Sequence, residues 1–283
     1  MNNKMNACAC LVVILAGACG SSRPAQRAET TPARSDDELM TEETLTDPKT
    51  GHTTTRKVMD ADKLIGQIVR VMLAREQEGK EFGAIVLAEE QTAGQGRHGH
   101  SWYSEPYAGI YCSIVLEPRP LLTLALGLAA AEAIDSGCDL RWPNDVMLGG
   151  RKVAGILVQL VENRAIAGIG INVNHASFSP DLEATSLRLH TGRIVEREPI
   201  LNALFAAIHS YTALAPDDIL RLFAKASSYA AGRRVVVHQP DGIIEGTTAG
   251  LSPDGFLRVR KDDGTDTLIL AGGVRAAGTR RGQ

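Results

Sequence analysis

The chain has 283 residues, a formal net charge of −3 at pH 7 and a sequence pI near 6.2. This length allows one sizeable core plus a small accessory domain, and the slightly acidic balance argues against a general nucleic-acid binder. Five scattered cysteines are too few for a disulfide scaffold, and no apolar run reaches the roughly 18 residues of a membrane span, so we predict neither feature.

The first 57 residues are predicted to be a signal-like leader followed by a disordered linker. Residues 9–18 form a short apolar run before Cys19, as in a bacterial lipoprotein leader, except that Ala16 replaces the larger aliphatic residue usual there. A working export signal and a start codon assigned too far upstream both stay open. Residues 21–55 contain few apolar side chains and are expected to lack ordered structure. Since residues 1–57 show no pair of apolar helices, we expect no helix-turn-helix and no nucleic-acid partner.

Helical and strand patterns follow in the first part of the expected catalytic domain. Apolar positions with helical spacing predict a helix over residues 60–77, and apolar, β-branched runs predict strands over residues 84–90 and 109–117. A segment rich in Leu and Ala that ends before Gly137 predicts a buried helix over residues 121–136.

The second part of this domain is predicted to contain a strand meander and two helices. Paired glycines and an Asn-Arg pair are turn signals that separate antiparallel strands over residues 140–148, 151–162 and 165–173. Helices are predicted over residues 199–214 and 217–228. The catalytic domain is therefore expected over residues 58–230.

The C-terminal residues 231–283 are predicted to form a small β-barrel. Short β-branched runs alternate there with Asp-Gly turns at Asp241, Asp254 and Asp263. The whole chain is thus predicted to be an α+β protein, with a mixed, largely antiparallel sheet, packed helices and this barrel.

Residues 91–102, QTAGQGRHGHSW, form a glycine-rich segment around Arg97. Glycines let backbone amides approach a phosphate or carboxylate, and an arginine supplies a fork of donors for the same oxyanions. The segment is therefore a candidate binding loop for an anionic ligand. Glycine-rich surface turns are common, so the loop alone has little diagnostic value.

Three further motifs follow the loop. Residues 140–160 read LRWPNDVMLGGRKVAGILVQL, residues 167–174 read AGIGINVN, and residues 184–187 read ATSL. In this order and spacing, the four motifs resemble the biotin protein ligase family, in its monofunctional form without a DNA-binding domain. The resemblance extends over roughly residues 82–275.

The resemblance implies a class II synthetase-like, biotin/lipoate ligase catalytic domain and an SH3-like C-terminal barrel. It also implies that the protein uses ATP and Mg²⁺ to convert biotin to biotinyl-5′-AMP. The biotin would then be transferred to a lysine of a biotin carboxyl carrier protein, such as the carrier domain of acetyl-CoA carboxylase. Such an enzyme works in the cytoplasm, and the family is compatible with a homodimer.

The resemblance also implies roles for individual residues. Arg97 and Lys152 are expected to be catalytic, at the biotin carboxylate and the α-phosphate. Biotin binding is expected to involve Gln91, Gly94, Arg97, Lys152, Gly155 and Ile156. ATP binding is expected to involve Trp102, Asn144, Asp145 and Asn172. Asp145 is also the candidate Mg²⁺ ligand, because Mg²⁺ prefers carboxylate oxygens.

Competing interpretations of these residues stay open. Lys152 could be a solvated lysine after a Gly-Gly turn, Trp102 could be an ordinary core residue, and Asn172 could be a buried amide with a structural role. Gly155 and Ile156 could simply pack within a strand.

Two departures from the family pattern affect the expected binding. Gln95 and His100 stand where the usual loop has arginines, which predicts weaker binding of anions at neutral pH. The Ser-Thr-Asn triplet that binds the ureido group of biotin is replaced by Ile65, Gly66 and Gln67. The alternative function is therefore a degenerate, non-catalytic biotin-binding protein, which would be an exported lipoprotein if the leader works. A lipoate ligase agrees less well with the motifs and with the predicted barrel.

Overall fold

The computed structural model describes residues 40–46, 53–59, 84–91, 94–134, 137–239 and 242–277. These residues group into two compact units, each of which is described by itself. The first unit comprises the described part of Met1–Tyr107 together with Tyr111–Glu117 and Gln159–Gly168. The second comprises Ala108–Ile110, Pro118–Val158 and the described part of Ile169–Gln283. The predicted helix over residues 60–77 and the triplet position at residues 65–67 lie outside the described residues.

Two strands pair in the N-terminal part of the chain. Strand β1 (Met40–Thr46) runs antiparallel to β2 (Thr53–Met59). The prediction that residues 21–55 lack ordered structure is therefore wrong for residues 40–46 and 53–55. Each strand contains three threonines, and β-branched side chains favour extended backbone even where few apolar residues are available for a core.

Six strands form the largest sheet that the structure describes. They are β3 (Ile85–Ala88), β4 (Gly109–Leu116), β5 (Asp139–Arg141), β6 (Asp145–Leu148), β7 (Arg151–Val161) and β8 (Arg164–Asn172). Their order in the sheet is β3-β4-β8-β7-β6-β5, and the pairs β3/β4, β5/β6 and β6/β7 are antiparallel. Strands β4 and β8 are largely buried and apolar along their whole length, as expected of strands covered on both faces.

The predicted strand over residues 140–148 is wrong as a continuous element. The chain turns at Trp142–Asn144, where the Trp142–Pro143 peptide is cis, and then returns as β6. Pro143 has no backbone N–H to donate to a strand ladder. The turn makes β5 and β6 a short hairpin in which Arg141 lies opposite Asp145, so their side chains share one face of the sheet.

The described residues contain four α-helices: α1 (Leu122–Ile134), α2 (Leu187–Thr191), α3 (Arg197–Thr212) and α4 (Pro216–Ala226). Helices α1, α3 and α4 confirm the predicted helices, with ends that differ by a few residues. Helix α2 was not predicted. Its N-cap is Ser186, whose Oγ accepts from the Leu189 N–H, and it ends at Gly192 in the left-handed region, where glycine is favoured.

The C-terminal residues form a five-stranded antiparallel sheet, which agrees with the strands predicted there. Closure of this sheet into a small barrel stays a prediction. Its strands are β9 (Ala231–Gln239), β10 (Gly242–Leu251), β11 (Leu257–Arg260), β12 (Asp266–Ile269) and β13 (Gly273–Ala276), in the order β12-β11-β10-β9-β13. Its core contains fully buried aliphatic residues: Val235, Val237, Leu257, Val259 and Ile269. None of the helices that the structure describes is long and apolar enough to cross a membrane.

Candidate functional site

The glycine-rich loop is a compact hairpin within the first unit. The Trp102 N–H donates to the Gly94 carbonyl at 2.7 Å, and the Gly96 N–H donates to the His100 carbonyl at 2.6 Å. Gln95 and Ser101 form a further antiparallel bridge between these bonds. The turn at the tip is a short 3-10 helix, Arg97–Gly99. The sequence folds this way because closely spaced glycines allow a tight reversal, and the result places Arg97 at the start of that turn.

Gly94 lies too close to its neighbours for any side chain. A Cβ at this position would be 2.7 Å from the Trp102 carbonyl oxygen and 3.3 Å from Oε1 of Gln91. The backbone of Gln91 is also fixed, because its N–H donates to Ser104 Oγ at 2.8 Å. The structure therefore brings together Gln91, Gly94 and Trp102, which were predicted to contact biotin and ATP.

Lys152 lies near the start of β7 and forms an ion pair with Asp145 on β6. Its Nζ is 2.6 Å from Asp145 Oδ1, and the two side chains are 26% and 16% exposed. The interpretation of Lys152 as a solvated lysine after a turn is therefore wrong. The ammonium is held against a carboxylate at the edge of the protein interior.

A β-bulge determines which face of the sheet Lys152 occupies. Asp145 lies opposite Gly155 and Val146 opposite Ala154, but the next partner of β6, Met147, lies opposite Lys152. Lys152 and Gly155 are three residues apart, a spacing that places side chains on opposite faces of a regular strand. The extra residue in the bulge, Val153, removes this alternation. Lys152 and Gly155 therefore lie on the same face as Asp145.

Arg141 is the second cation on Asp145. Its Nη2 and Nε lie 2.8 Å and 3.2 Å from Oδ2, whereas the Lys152 ammonium lies 2.6 Å from Oδ1. Arg141 Nη1 is also 3.5 Å from Glu183, and Glu183 is 3.6 Å from Arg275 on β13. We call these five residues, Lys152, Asp145, Arg141, Glu183 and Arg275, the Lys152 cluster. It contains three cations and two carboxylates.

The sequence analysis missed three members of this cluster. Arg141 immediately precedes the WPND motif, and Glu183 precedes the ATSL motif by one residue. A turn signal at Pro143 would have placed Arg141 opposite Asp145, which is a usable indication of an ion pair. Arg275 is far from the others in sequence, so no local pattern indicates its contact.

The electrostatics of the cluster keep Asp145 ionised. Burial alone would raise the pKa of Asp145, but Lys152 and Arg141 together hold it below its ordinary value. Burial likewise acts to lower the pKa of Arg141, and Asp145 outweighs that effect, so the pKa of Arg141 is raised. At neutral pH both partners of this contact are therefore charged.

The surroundings of Asp145 do not favour the predicted role of this residue as a Mg²⁺ ligand. Each of its carboxylate oxygens already contacts a cation, Lys152 on one side and Arg141 on the other. Within the described ranges there is also no group of three His, Cys, Asp or Glu side chains that could hold a metal ion. Mg²⁺ needs oxygen ligands that are not neutralised by ammonium or guanidinium groups, so this geometry supports a role for Asp145 in binding Lys152.

The ATSL motif fixes the backbone at Lys152. The Lys152 N–H donates to the Glu183 carbonyl at 2.8 Å, and the Thr185 N–H donates to the Lys152 carbonyl at 2.9 Å. Residues 183–185 thus run parallel to the start of β7. Because both backbone groups of Lys152 are bonded, its movement is restricted to the side chain.

Asn172 is a buried amide with one unused acceptor. Its side chain donates to the Thr185 carbonyl at 3.0 Å, and the residue is only 2% exposed. Its Oδ1 has no hydrogen-bond partner among the described residues. Buried polar atoms are nearly always bonded, so this oxygen is suited to accept a hydrogen bond from a ligand N–H.

Asn144 fixes the part of β7 that was predicted to contact biotin. Its Nδ2 donates to the Ile156 carbonyl at 2.9 Å, and the Ile156 N–H donates to the Asn144 carbonyl at 2.9 Å. The second unit therefore brings together a set of predicted site residues: Asn144, Asp145, Lys152, Gly155 and Ile156. Gln91, Gly94, Arg97 and Trp102 belong to the first unit.

Two family descriptions match the chain. Residues 65–175 match the Biotin/lipoate A/B protein ligase family, and residues 231–274 match the Biotin protein ligase C terminal domain. The first range contains the glycine-rich loop and Lys152, and the second contains strands β9 to β12.

Curated relatives are similar over most of the chain. The bifunctional ligase/repressor BirA of Bacillus spizizenii is 30% identical over 217 residues, which is 67% of this chain and 65% of that protein. The biotin–acetyl-CoA-carboxylase ligase of Mycobacterium tuberculosis is 31% identical over 257 residues, which is 83% of this chain and 94% of that protein. The chain thus spans 65% of the length of the Bacillus relatives and nearly all of the Mycobacterium relative.

Solved structures show the same fold. The biotin protein ligase from Aquifex aeolicus in complex with biotin and ATP is 30% identical, with a TM-score of 0.63 over 70% of this chain and 90% of that chain. The α+β fold class, with its largely antiparallel sheet, agrees with this likeness. The relatives, the matched families and the four motifs agree, and the chain belongs to the biotin protein ligase family.

Proposed function

We propose that this protein activates biotin with ATP to biotinyl-5′-AMP and transfers the biotin to a lysine of a biotin carboxyl carrier domain. The observation that carries the proposal is the position of the Lys152 ammonium. Lys152 lies on β7, and its Nζ is held 2.6 Å from Oδ1 of Asp145, the last residue of the WPND motif. The activity named for the Mycobacterium relative, and the biotin and ATP bound in the Aquifex structure, support the choice of substrates.

The first step joins two anions, so its main requirement is positive charge. A carboxylate oxygen of biotin attacks the α-phosphorus of ATP, the bond to the bridging oxygen breaks, and pyrophosphate leaves with the electron pair. Lys152 is proposed to bind the carboxylate and α-phosphate oxygens, where it orients them and stabilises the charge that develops. Arg97 is proposed as a catalytic residue of the same reaction, because its guanidinium offers a fork of donors for oxyanions.

The second step transfers biotin to the carrier. The neutral amine of the carrier lysine adds to the carbonyl carbon of the adenylate, the C–O bond to the phosphate breaks, and AMP leaves. The nitrogen loses a proton, and an amide bond results. This step explains why activation is needed, since a carboxylate and an ammonium group alone form only a salt.

The other predicted residues are proposed to shape the two binding regions. Gln91, Gly94, Gly155 and Ile156 are proposed to contact biotin, and Trp102 and Asn172 are proposed to contact ATP. Asn144 is proposed to act by holding Ile156 in place, because its side-chain amide donates to that carbonyl. Asp145 is proposed to hold Lys152. Mg²⁺ is proposed to arrive on the ATP phosphates, since the surroundings of Asp145 do not fit a metal ligand.

The predicted domain boundaries, cellular location and oligomeric state are also proposals. A catalytic domain over residues 58–230 and an SH3-like barrel over residues 231–283 agree with the two matched ranges. A cytoplasmic location follows from the proposed use of ATP and carrier domains. The homodimer stays a prediction, which light scattering of the purified chain would check.

The test is pyrophosphate release by the full chain with biotin, Mg·ATP and a biotin carrier domain, followed by mass analysis of the carrier. We expect stoichiometric pyrophosphate release and a carrier heavier by one biotinyl group. Lys152→Ala should abolish both signals, and the exposed Lys225→Ala on α4 is the matched control. Biotin binding without pyrophosphate release would overturn the proposal in favour of the non-catalytic binding protein.

A further inference from the structure

Asp145 has two cationic partners that differ in how firmly they are attached. Arg141 lies directly opposite Asp145 in the β5/β6 hairpin and contacts Oδ2 through two nitrogens. Lys152 contacts Oδ1 through one ammonium at the end of a flexible side chain. A guanidinium fork is the more rigid partner, and an ammonium is a mobile point charge. Lys152 is therefore the partner that can leave.

Because the Arg141–Asp145 ion pair is largely buried, it matters that Asp145 has two cationic partners. The side chains of Arg141 and Asp145 are 11% and 16% exposed. A carboxylate buried to this degree is strongly destabilised when it loses every cation. With Arg141 in place, Asp145 stays paired when the Lys152 ammonium turns towards another anion.

The charge balance of the Lys152 cluster favours such an exchange. Among the five side chains that define the cluster, three are cations and two are carboxylates, so their formal charges sum to +1. Glu183 links Arg141 to Arg275 and so keeps the guanidinium of Arg141 paired on its other side. An anionic group that arrives at Lys152 would neutralise the excess charge.

We propose that Arg141 is a positioning residue, which keeps Asp145 charged and in place while Lys152 exchanges this carboxylate for an anionic group of the substrate. The inference rests on the proposed function, in which Lys152 binds the biotin carboxylate and the α-phosphate. Asp145 is then the resting partner of Lys152, and Arg141 acts on the reaction only through Asp145.

The first test measures kcat and KM for pyrophosphate release by the full chain and its variants. Arg141→Gln should lower kcat by about tenfold or more, with a change in KM for biotin of less than about twofold. Arg141→Lys keeps the charge but loses the two-nitrogen contact, so it should recover part of kcat. The matched control is Arg221→Gln, which removes an exposed arginine from a surface pair on α4. A wild-type kcat in Arg141→Gln, or a folded Arg141→Lys as slow as Arg141→Gln, overturns the proposal.

The second test does not depend on activity, so it separates this proposal from the proposed function. In Arg141→Gln, Lys152 becomes the only cation on Asp145 and should be held more tightly. Limited acetylation with acetic anhydride, quantified by peptide mass, should then modify Lys152 about threefold more slowly than in the wild type, relative to exposed Lys225. Equal rates overturn the proposal. An inactive wild-type chain with slower acetylation in the variant overturns the proposed function alone.

Discussion

The indole N–H of Trp142 donates a 2.8 Å hydrogen bond to the carbonyl oxygen of Gly255, which lies 113 residues further along the chain. Trp142 is 4% exposed, so the bond lies in the interior of the second unit. It joins the turn of the WPND motif to an Asp-Gly turn of the C-terminal sheet. The turn that precedes Asp145 is thus held by a hydrogen bond to the C-terminal sheet, although none of the predicted site residues lies in that sheet.

Replacing Trp142 with phenylalanine should destabilise the protein. The ring is largely retained, but the Gly255 carbonyl loses its donor, and a buried acceptor without a partner costs about 1–3 kcal/mol. Urea denaturation of the variant should show a lower free energy of unfolding with an unchanged slope. The exposed Tyr107→Phe is the control and should leave stability unchanged. Equal stability of Trp142→Phe and the wild type would contradict the prediction.

Stability should depend on pH through Asp145. Burial acts to raise the pKa of Asp145, but Lys152 and Arg141 outweigh it and hold the pKa below its ordinary value of 3.8. A carboxyl whose pKa is lowered by folding adds stability above its ordinary pKa, and that stability is lost as the pH falls through the lowered value.

Urea denaturation between neutral pH and about pH 3 checks this expectation. The wild type should lose more stability on acidification than Asp145→Asn, because the variant has no carboxyl to protonate. Asp181→Asn, at an exposed position, should follow the wild type. Parallel losses in the wild type and Asp145→Asn would rule out the assigned effect.

Gly94→Ala should impair biotin binding while the fold remains intact. A Cβ at this position would lie 2.7 Å from the Trp102 carbonyl, which is backbone and cannot move aside easily. The loop must therefore open, and we expect KM for biotin to rise about tenfold. Gly273→Ala is the matched control, because a Cβ there meets nothing within 4 Å. A Gly94→Ala enzyme with normal KM would show that the close approach has no role in binding.

Asn172→Ala should weaken binding of ATP more than binding of biotin. The substitution removes the buried Oδ1, which has no partner among the described residues, and leaves the Thr185 carbonyl without its donor. We expect KM for ATP to rise about tenfold, in line with the loss of one hydrogen bond to a ligand. Asn163→Ala, in an exposed turn, is the control. If KM for ATP stays normal, the amide has only a structural role.

Most of the fold could be predicted from local patterns. Apolar periodicity located strands β3, β4, β7 and β8 and helices α1, α3 and α4, because burial of one face or both leaves a regular signal. Apolar periodicity did not reveal the break between β5 and β6. The residues on both sides of Pro143 have a strand-like pattern, and only the turn separates them. The same patterns did not reveal the β1/β2 pair, because threonine-rich strands with few apolar residues resemble a linker.

The candidate site could be predicted only in part. Motif resemblance selected Lys152 and Asp145 as separate residues, but their ion pair depends on the hairpin and the bulge. A regular alternation would have placed Lys152 and Gly155 on opposite faces, so sequence spacing alone gives the wrong geometry. Glu183 and Arg275 belong to the cluster because segments that are distant in sequence contact each other. No local sequence pattern predicts such contacts.

The turn between β5 and β6 connects neighbouring side chains to different parts of the second unit. Contacts of the turn and of Asp145, the first residue of β6, include Trp142 to Gly255, Asn144 to Ile156 and Asp145 to Lys152. Trp142 is an intrinsic fluorophore, and it is three residues from the carboxylate that holds the lysine. Its emission therefore offers an optical signal for events at Lys152 that needs no attached label.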